Sequence, residues 1–93
     1  MVTNNLLIRL KQRDAESIEK AVAVLRGMKG QIPVLLNSEV KTDVRSGEYD
    51  IMLINTFNCV EDIPLYVNHP LHLDVAKYVA EAKEASVSFC YEV

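Results

Sequence analysis

An α+β sandwich with its elements in the order β-α-β-β-α-β is the fold this sequence predicts, and three observations predict it. Four stretches alternate apolar and polar residues with the period of two that a half-buried strand requires. Between the first pair and between the last pair of these lie stretches whose apolar residues recur at three and four residue steps, the spacing of a helix with one buried face. The chain of 93 residues is long enough for one core of moderate size and too short for two, so residues 1–93 form a single domain.

Strand one rests on Leu6, Ile8 and Leu10 alternating with Leu7, Arg9 and Lys11. Asp14 is the expected N-cap of the first helix, along which Ile18, Ala21, Val22, Leu25 and Met28 make the buried stripe. Gly30 is its natural stop. Pro33 forces an extended approach to strand two, expected from Val34 to Val40 or Lys41 and at an edge, because proline has no N–H for a central ladder. Thr42 to Gly47 is polar and ends in the Ser46-Gly47 turn signal, a hairpin loop into strand three at Glu48 or Tyr49 to Phe57. Strand three is apolar on both faces in its middle, the pattern of a central strand covered on two sides.

Asp62-Ile63-Pro64 predicts an N-cap and the first turn of a short helix ending near His69. Pro70 then occupies the first position of a second helix, where its missing N–H costs nothing, and Leu71, Val75, Tyr78, Val79 and Ala82 form the apolar stripe. Val87, Phe89, Tyr91 and Val93 alternate with Ser86, Ser88, Cys90 and Glu92 as strand four. This order is the split βαβ pattern of ferredoxin-like folds, in which helices cover one face of a four-stranded antiparallel sheet. The two-sided strand three needs a cover on the other face. A second copy of the same sheet is the simplest one, giving a closed homodimer.

Composition points the same way. Hydrophobic residues make up 49% of the chain, much for a domain with so high a surface-to-volume ratio, and a partner chain is expected to cover part of them. Ten basic against thirteen acidic residues, with no basic block, argues against nucleic-acid or anionic-membrane partners. No charged leader and no spanning segment is evident, so the expected location is cytoplasmic, and Cys59 and Cys90 are expected as reduced thiols. Neither has a basic neighbour in sequence that would activate it as a nucleophile.

The residues with a case for chemistry lie in Tyr66-Val67-Asn68-His69-Pro70-Leu71-His72. Histidine titrates near neutral pH and is the usual general base, so His72 as base and Tyr66 as hydrogen-bond donor to a carbonyl could meet in one pocket between helix and sheet. The alternative is structural: Tyr66 packed in the core with its hydroxyl satisfied, and His72 bonded to backbone in the first turn. His69 is the expected N-cap of the Pro70 helix. With no third ligand near His69 and His72, no metal site is expected. Candidate ligand contacts are Tyr66, His69, His72 and Tyr49, although Tyr49, Tyr78, Phe57 and Phe89 also fall on apolar stripes that suit a core.

On the opening strand Leu6 to Lys11, the Gly30-Gln31-Ile32-Pro33 turn, Gly47-Glu48-Tyr49-Asp50, Phe57, the Tyr-x-x-His-Pro-x-His run from Tyr66 to His72, and the closing Tyr91-Glu92-Val93, the chain resembles the stress-responsive A/B barrel domain (Dabb) proteins of the dimeric α+β barrel superfamily. The resemblance implies a ferredoxin-like protomer whose sheet packs on that of a second copy. Most bacterial members have no assigned activity. A plant member is a polyketide cyclase that closes a ring by aldol condensation without a cofactor, using a tyrosine and a histidine that match Tyr66 and His72. The sequence departs from the family at Asn4 and Ile51, where histidines are common, at Ser38, where phenylalanine is usual, and at Pro64. Three functions follow: a homodimer of unassigned activity that binds a small, partly apolar molecule near Tyr66 and His72, a cofactor-independent cyclase or isomerase using that pair, or a structural interaction domain.

Overall fold

In the computed structural model, which describes all 93 residues, the elements are β1 (Val2–Leu10), α1 (Ala15–Arg26), β2 (Asn37–Thr42), β3 (Ile51–Phe57), α2 (Ile63–Val67), α3 (Pro70–Ala82) and β4 (Lys83–Glu92). The strands form one antiparallel sheet in the order β2-β3-β1-β4. This is the ferredoxin-like arrangement. β1 and β3 are central, as two-sided apolar strands must be, and β2, which follows Pro33, is an edge.

One face of the sheet carries the core. Val2, Ile8 and Leu10 of β1, Val40 of β2 and Ile51, Leu53 and Phe57 of β3 pack with Ala21, Val22 and Leu25 of α1 and Val75 of α3. Because side chains alternate along a strand, the intervening residues share the opposite face, where the register sets Leu7 beside Met52 and Val87, and Asn5 beside Ile54 and Phe89. No element of this chain covers that face. Val87, Phe89 and Tyr91 are exposed there, Phe89 at 70%.

Several expected boundaries move. Asp14 caps α1 as expected, its carboxylate accepting from Ser17 N–H at 2.8 Å. The helix stops at Arg26, however, and turns carry the chain on to Gly30 at φ 77°, a conformation that favours glycine. Met28 is buried from those turns rather than from the helix. Strand two begins at Asn37, not Val34, because Leu35 N–H closes a turn onto Ile32 C=O at 3.0 Å and buries both side chains beneath the sheet's edge. Asp62 does not cap α2 with its side chain; it lies in a single 3-10 turn, Val60–Asp62, that runs directly into the helix.

Strand three begins at Ile51, and what lies before it has its own logic. The buried Asp50 carboxylate accepts from Leu10 N–H at 2.8 Å and from Arg13 Nε at 3.0 Å, tying the β1–α1 connection to the β2–β3 hairpin. Arg13 also donates to Gly47 C=O. In the hairpin it is Ser46 that takes positive φ, at 56°, while Asp43 accepts from Gly47 N–H at 2.7 Å. A Cβ on Gly47 would stand 2.6 Å from that Asp43 oxygen, so a larger residue there would displace the carboxylate from its bond.

Candidate functional site

The joint between α2 and α3 is held by its own side chains. Helix α2 contains Pro64 and is only five residues long, so its stability comes from packing rather than from propagation. Its last carbonyls need partners, and they find local ones: Asn68 N–H and Nδ2 both donate to Pro64 C=O, and His69 N–H donates to Tyr66 C=O at 3.1 Å. His69 is the N-cap of α3, its Nδ1 accepting from Leu71 N–H at 3.1 Å, with Pro70 in the first turn. That capping role explains His69 and Pro70.

Across this joint Tyr66 and His72 come together, their ring centroids 4.4 Å apart at 52°. The ring of Phe57 also packs on Tyr66 in an edge-to-face arrangement, 5.3 Å between centroids. His72 Nδ1 lies 2.9 Å from Val67 C=O. A carbonyl only accepts, so Nδ1 carries the proton and Nε2 of the neutral ring is left with its lone pair, the atom a general base would use.

Tyr66 is 6% exposed, and burial pushes its phenol up to about 12, against a smaller lowering by the hydrogen bond from Asn55. It is a neutral donor throughout the physiological range. Its oxygen accepts from Asn55 Nδ2 at 3.1 Å, and Asn55 Oδ1 accepts from Ser38 Oγ at 2.6 Å. The remaining group near the hydroxyl is the Met28 sulfur at 3.7 Å, a weak acceptor.

Both rings line a cavity of about 190 Å³ between α3 and the sheet. Nine of its twelve lining residues are hydrophobic, Tyr66 among them with Leu6, Leu53, Met28 and Val79, and the other three are His72, Lys83 and Ser86. This is the composition of a small-molecule site. Larger surface hollows exist, of about 320 Å³ beside Tyr78 and about 460 Å³ under the β2–β3 hairpin, but their walls are mostly charged and polar side chains such as Lys11, Lys20, Asp43 and Arg45.

Two expectations from the sequence are corrected. Tyr49 is not near the Tyr66–His72 pair: it precedes β3 and lines the hairpin hollow with Leu7 and Met52. Phe89 is not in the core, because the antiparallel register with β1 places it opposite Asn5 on the uncovered face, where its ring lies 6.4 Å from that of Tyr91. In turn, sequence reasoning passed over Asn55 and Ser38. The available signal was a polar residue at a core-facing position in each of two strands, since buried polar groups must find partners and these two find each other.

The sequence profile of the Stress responsive A/B Barrel Domain matches residues 4–93. Among solved structures, the chain is similar to a dimeric protein of unknown function and ferredoxin-like fold from Bacteroides fragilis, with 26% identity and a TM-score of 0.85, covering 99% of this chain and 95% of that one. A dimeric ferredoxin-like protein of unknown function from Thermobifida fusca matches at 19% identity and TM-score 0.86, over 99% and 90% of the two chains. A hydroxynitrile lyase from Passiflora edulis matches at 21% identity and TM-score 0.83, over 99% and 92%. No curated protein matches the chain significantly.

Proposed function

This chain belongs to the Stress responsive A/B Barrel Domain family, and we propose that it works as a homodimer, joined through the uncovered sheet face, in which each protomer binds a small, partly apolar molecule between α3 and the sheet. The observation that carries the binding reading is that one apolar cavity is reached by both Tyr66 and His72. The structural alternative is met in its own particulars, since Tyr66 is buried with its hydroxyl bonded to Asn55 and His72 bonds the Val67 carbonyl, and the cavity is what supports binding beyond it. The dimer is supported by Leu7, Met52, Ile54, Val87, Phe89 and Tyr91, which gather on one uncovered face. The dimeric ferredoxin-like relatives support it too.

A second reading makes the same pocket catalytic without a cofactor. His72 Nε2 would take a proton from carbon while the Tyr66 hydroxyl hydrogen-bonds the carbonyl that stabilises the resulting enolate. It is favoured by the hydrogen bond to Val67, which fixes the tautomer that a base requires. The hydroxynitrile lyase from Passiflora edulis is an example of an enzyme with a similar fold.

Nuclear magnetic resonance titration with small aromatic fragments tests the binding reading. Shifts confined to Leu53, Tyr66, His72 and Val79 are expected, and a fragment set that perturbs only Phe89 and Tyr91, or nothing, would overturn it. For the catalytic reading, a His72→Ala variant that turned over a substrate found by screening at the wild-type rate would remove His72 from the reaction.

A further inference from the structure

We infer that Ser38 and Asn55 are positioning residues which keep the Tyr66 hydroxyl proton free for a ligand oxygen, and that the cavity therefore takes a mostly apolar molecule bearing a carbonyl. The inference rests on the binding reading above and adds to it which end of the site is polar and how that polarity is set.

A primary amide has one acceptor end and one donor end, and which end faces a neighbour is decided by the rest of its surroundings. Asn55 is 1% exposed, so water does not decide it. On its β2 side stands Ser38, also buried, at the paired position of the sheet, and its hydroxyl reaches Asn55 Oδ1 at 2.6 Å. A hydroxyl can serve either end of the amide, but 2.6 Å is an O–H···O length and 3.1 Å an N–H···O length, so the oxygen faces Ser38 and Nδ2 donates to the phenol oxygen of Tyr66. A hydroxyl has one proton. Having accepted from Asn55, Tyr66 must place its own proton elsewhere, and the neighbour it finds is the Met28 thioether at 3.7 Å. A thioether is a weak acceptor, so a carbonyl oxygen entering the cavity that Met28 and Tyr66 both line would displace it at little cost.

The chain of bonds also strengthens the donor. A phenol that accepts a hydrogen bond is polarised toward donating a better one, and the low-polarity surroundings amplify the effect. The opposite arrangement, with the amide oxygen facing Tyr66, would consume the proton and leave the cavity with no donor on that wall. The serine thus acts on the ligand through two residues without touching it.

Acetophenone and α-methylstyrene, which differ in carrying an oxygen or a methylene at the same place, are suitable probes. Affinities of both for wild type, Tyr66→Phe and Ser38→Ala would be measured by resonance titration, with the carbonyl stretching band of bound acetophenone recorded by infrared difference spectroscopy. Tyr66→Phe is expected to weaken acetophenone about tenfold and Ser38→Ala threefold or more, with α-methylstyrene unchanged in both, since a single buried hydrogen bond has this size. The carbonyl band in wild type should lie at the lower frequency of a hydrogen-bonded ketone and return toward its apolar-solvent position in both variants. Equal effects on the two probes, or a wild-type band at the apolar-solvent position, would overturn the inference while leaving the cavity as a binding site. Ser38→Ala matching wild type for both probes, with Tyr66→Phe selective, would remove the positioning role. Binding of neither probe to wild type would overturn the binding reading and this inference together. The infrared measurement on wild type decides the main point even if a variant fails to fold.

Discussion

Replacing Tyr66 by phenylalanine removes one oxygen from the protein, and its effect on stability can be worked out from what that oxygen touches. The ring contacts are kept: Phe57 at 5.3 Å and His72 at 4.4 Å bear on the ring and not on the hydroxyl. What is lost is the hydrogen bond from Asn55 Nδ2, and because Asn55 is 1% exposed its N–H cannot turn to water. A buried donor left without a partner costs about 1–3 kcal/mol, so the variant should be less stable by roughly 2 kcal/mol. For a domain of this size that is a fall in Tm of about 10 °C. Urea denaturation at fixed protomer concentration would measure it as a lower midpoint with unchanged slope.

The same residue predicts a pH dependence. The folded-state pKa of Tyr66, at about 12, stands above the ordinary value of 10.0 that the unfolded chain would show. Below pH 10 both states are protonated and stability owes nothing to pH. Between about pH 10 and 12 the unfolded chain loses its proton while the folded one keeps it, so stability falls with rising pH, by up to about 3 kcal/mol. Tyr66→Phe should flatten that part of the profile. A variant as stable as wild type, with the same alkaline decline, would show that the hydroxyl is neither buried nor bonded to Asn55.

Other perturbations separate the fold from the assembly. Phe89→Asp places a charge on an exposed aromatic of the uncovered sheet face and should leave helix and strand content intact while light scattering falls from the dimer to the monomer mass; a stable dimer of this variant would move the interface elsewhere. Asp50→Ala removes the acceptor for both Leu10 N–H and Arg13, and a loss of about 2–4 kcal/mol is expected in urea unfolding, against almost none if the β1–α1 connection is not tied there. His69→Ala removes the cap of α3 and should cost about 1 kcal/mol, with no change in probe affinity if capping is its whole role.

The fold was accessible from the sequence because its signals are local and redundant. The alternation in β1 and β3, the stripe from Ile18 to Leu25 and the prolines at positions 33 and 70 each point to their element without knowledge of the others. Boundaries were less accessible where a long-range contact decides them. Strand three starts at Ile51 because Asp50 turns its carboxylate to Leu10 and Arg13, which lie 40 and 37 residues away. Phe89 was misplaced for a similar reason: alternation shows that two faces exist but not which one meets the helices, and the pairing with Asn5 settles that.

The site was half visible. Tyr66 and His72 stand six residues apart across a Pro70 break, a spacing that allows them to converge, and in the fold their rings meet at 4.4 Å. The residues that set the state of Tyr66 come from two other strands and a turn: Ser38, Asn55 and Met28 have no sequence proximity to it or to one another, and only the folded sheet brings them to one hydroxyl.

The central claim is that the space between α3 and the sheet holds a ligand whose oxygen meets Tyr66. A crystal structure of the protein with acetophenone tests it most directly. The probe should lie between Leu53 and Val79 with its oxygen within about 3 Å of the Tyr66 hydroxyl, the range of an O–H···O hydrogen bond. Acetophenone found on the sheet face at Phe89 and Tyr91, or in the cavity with its oxygen turned away from Tyr66, would contradict it.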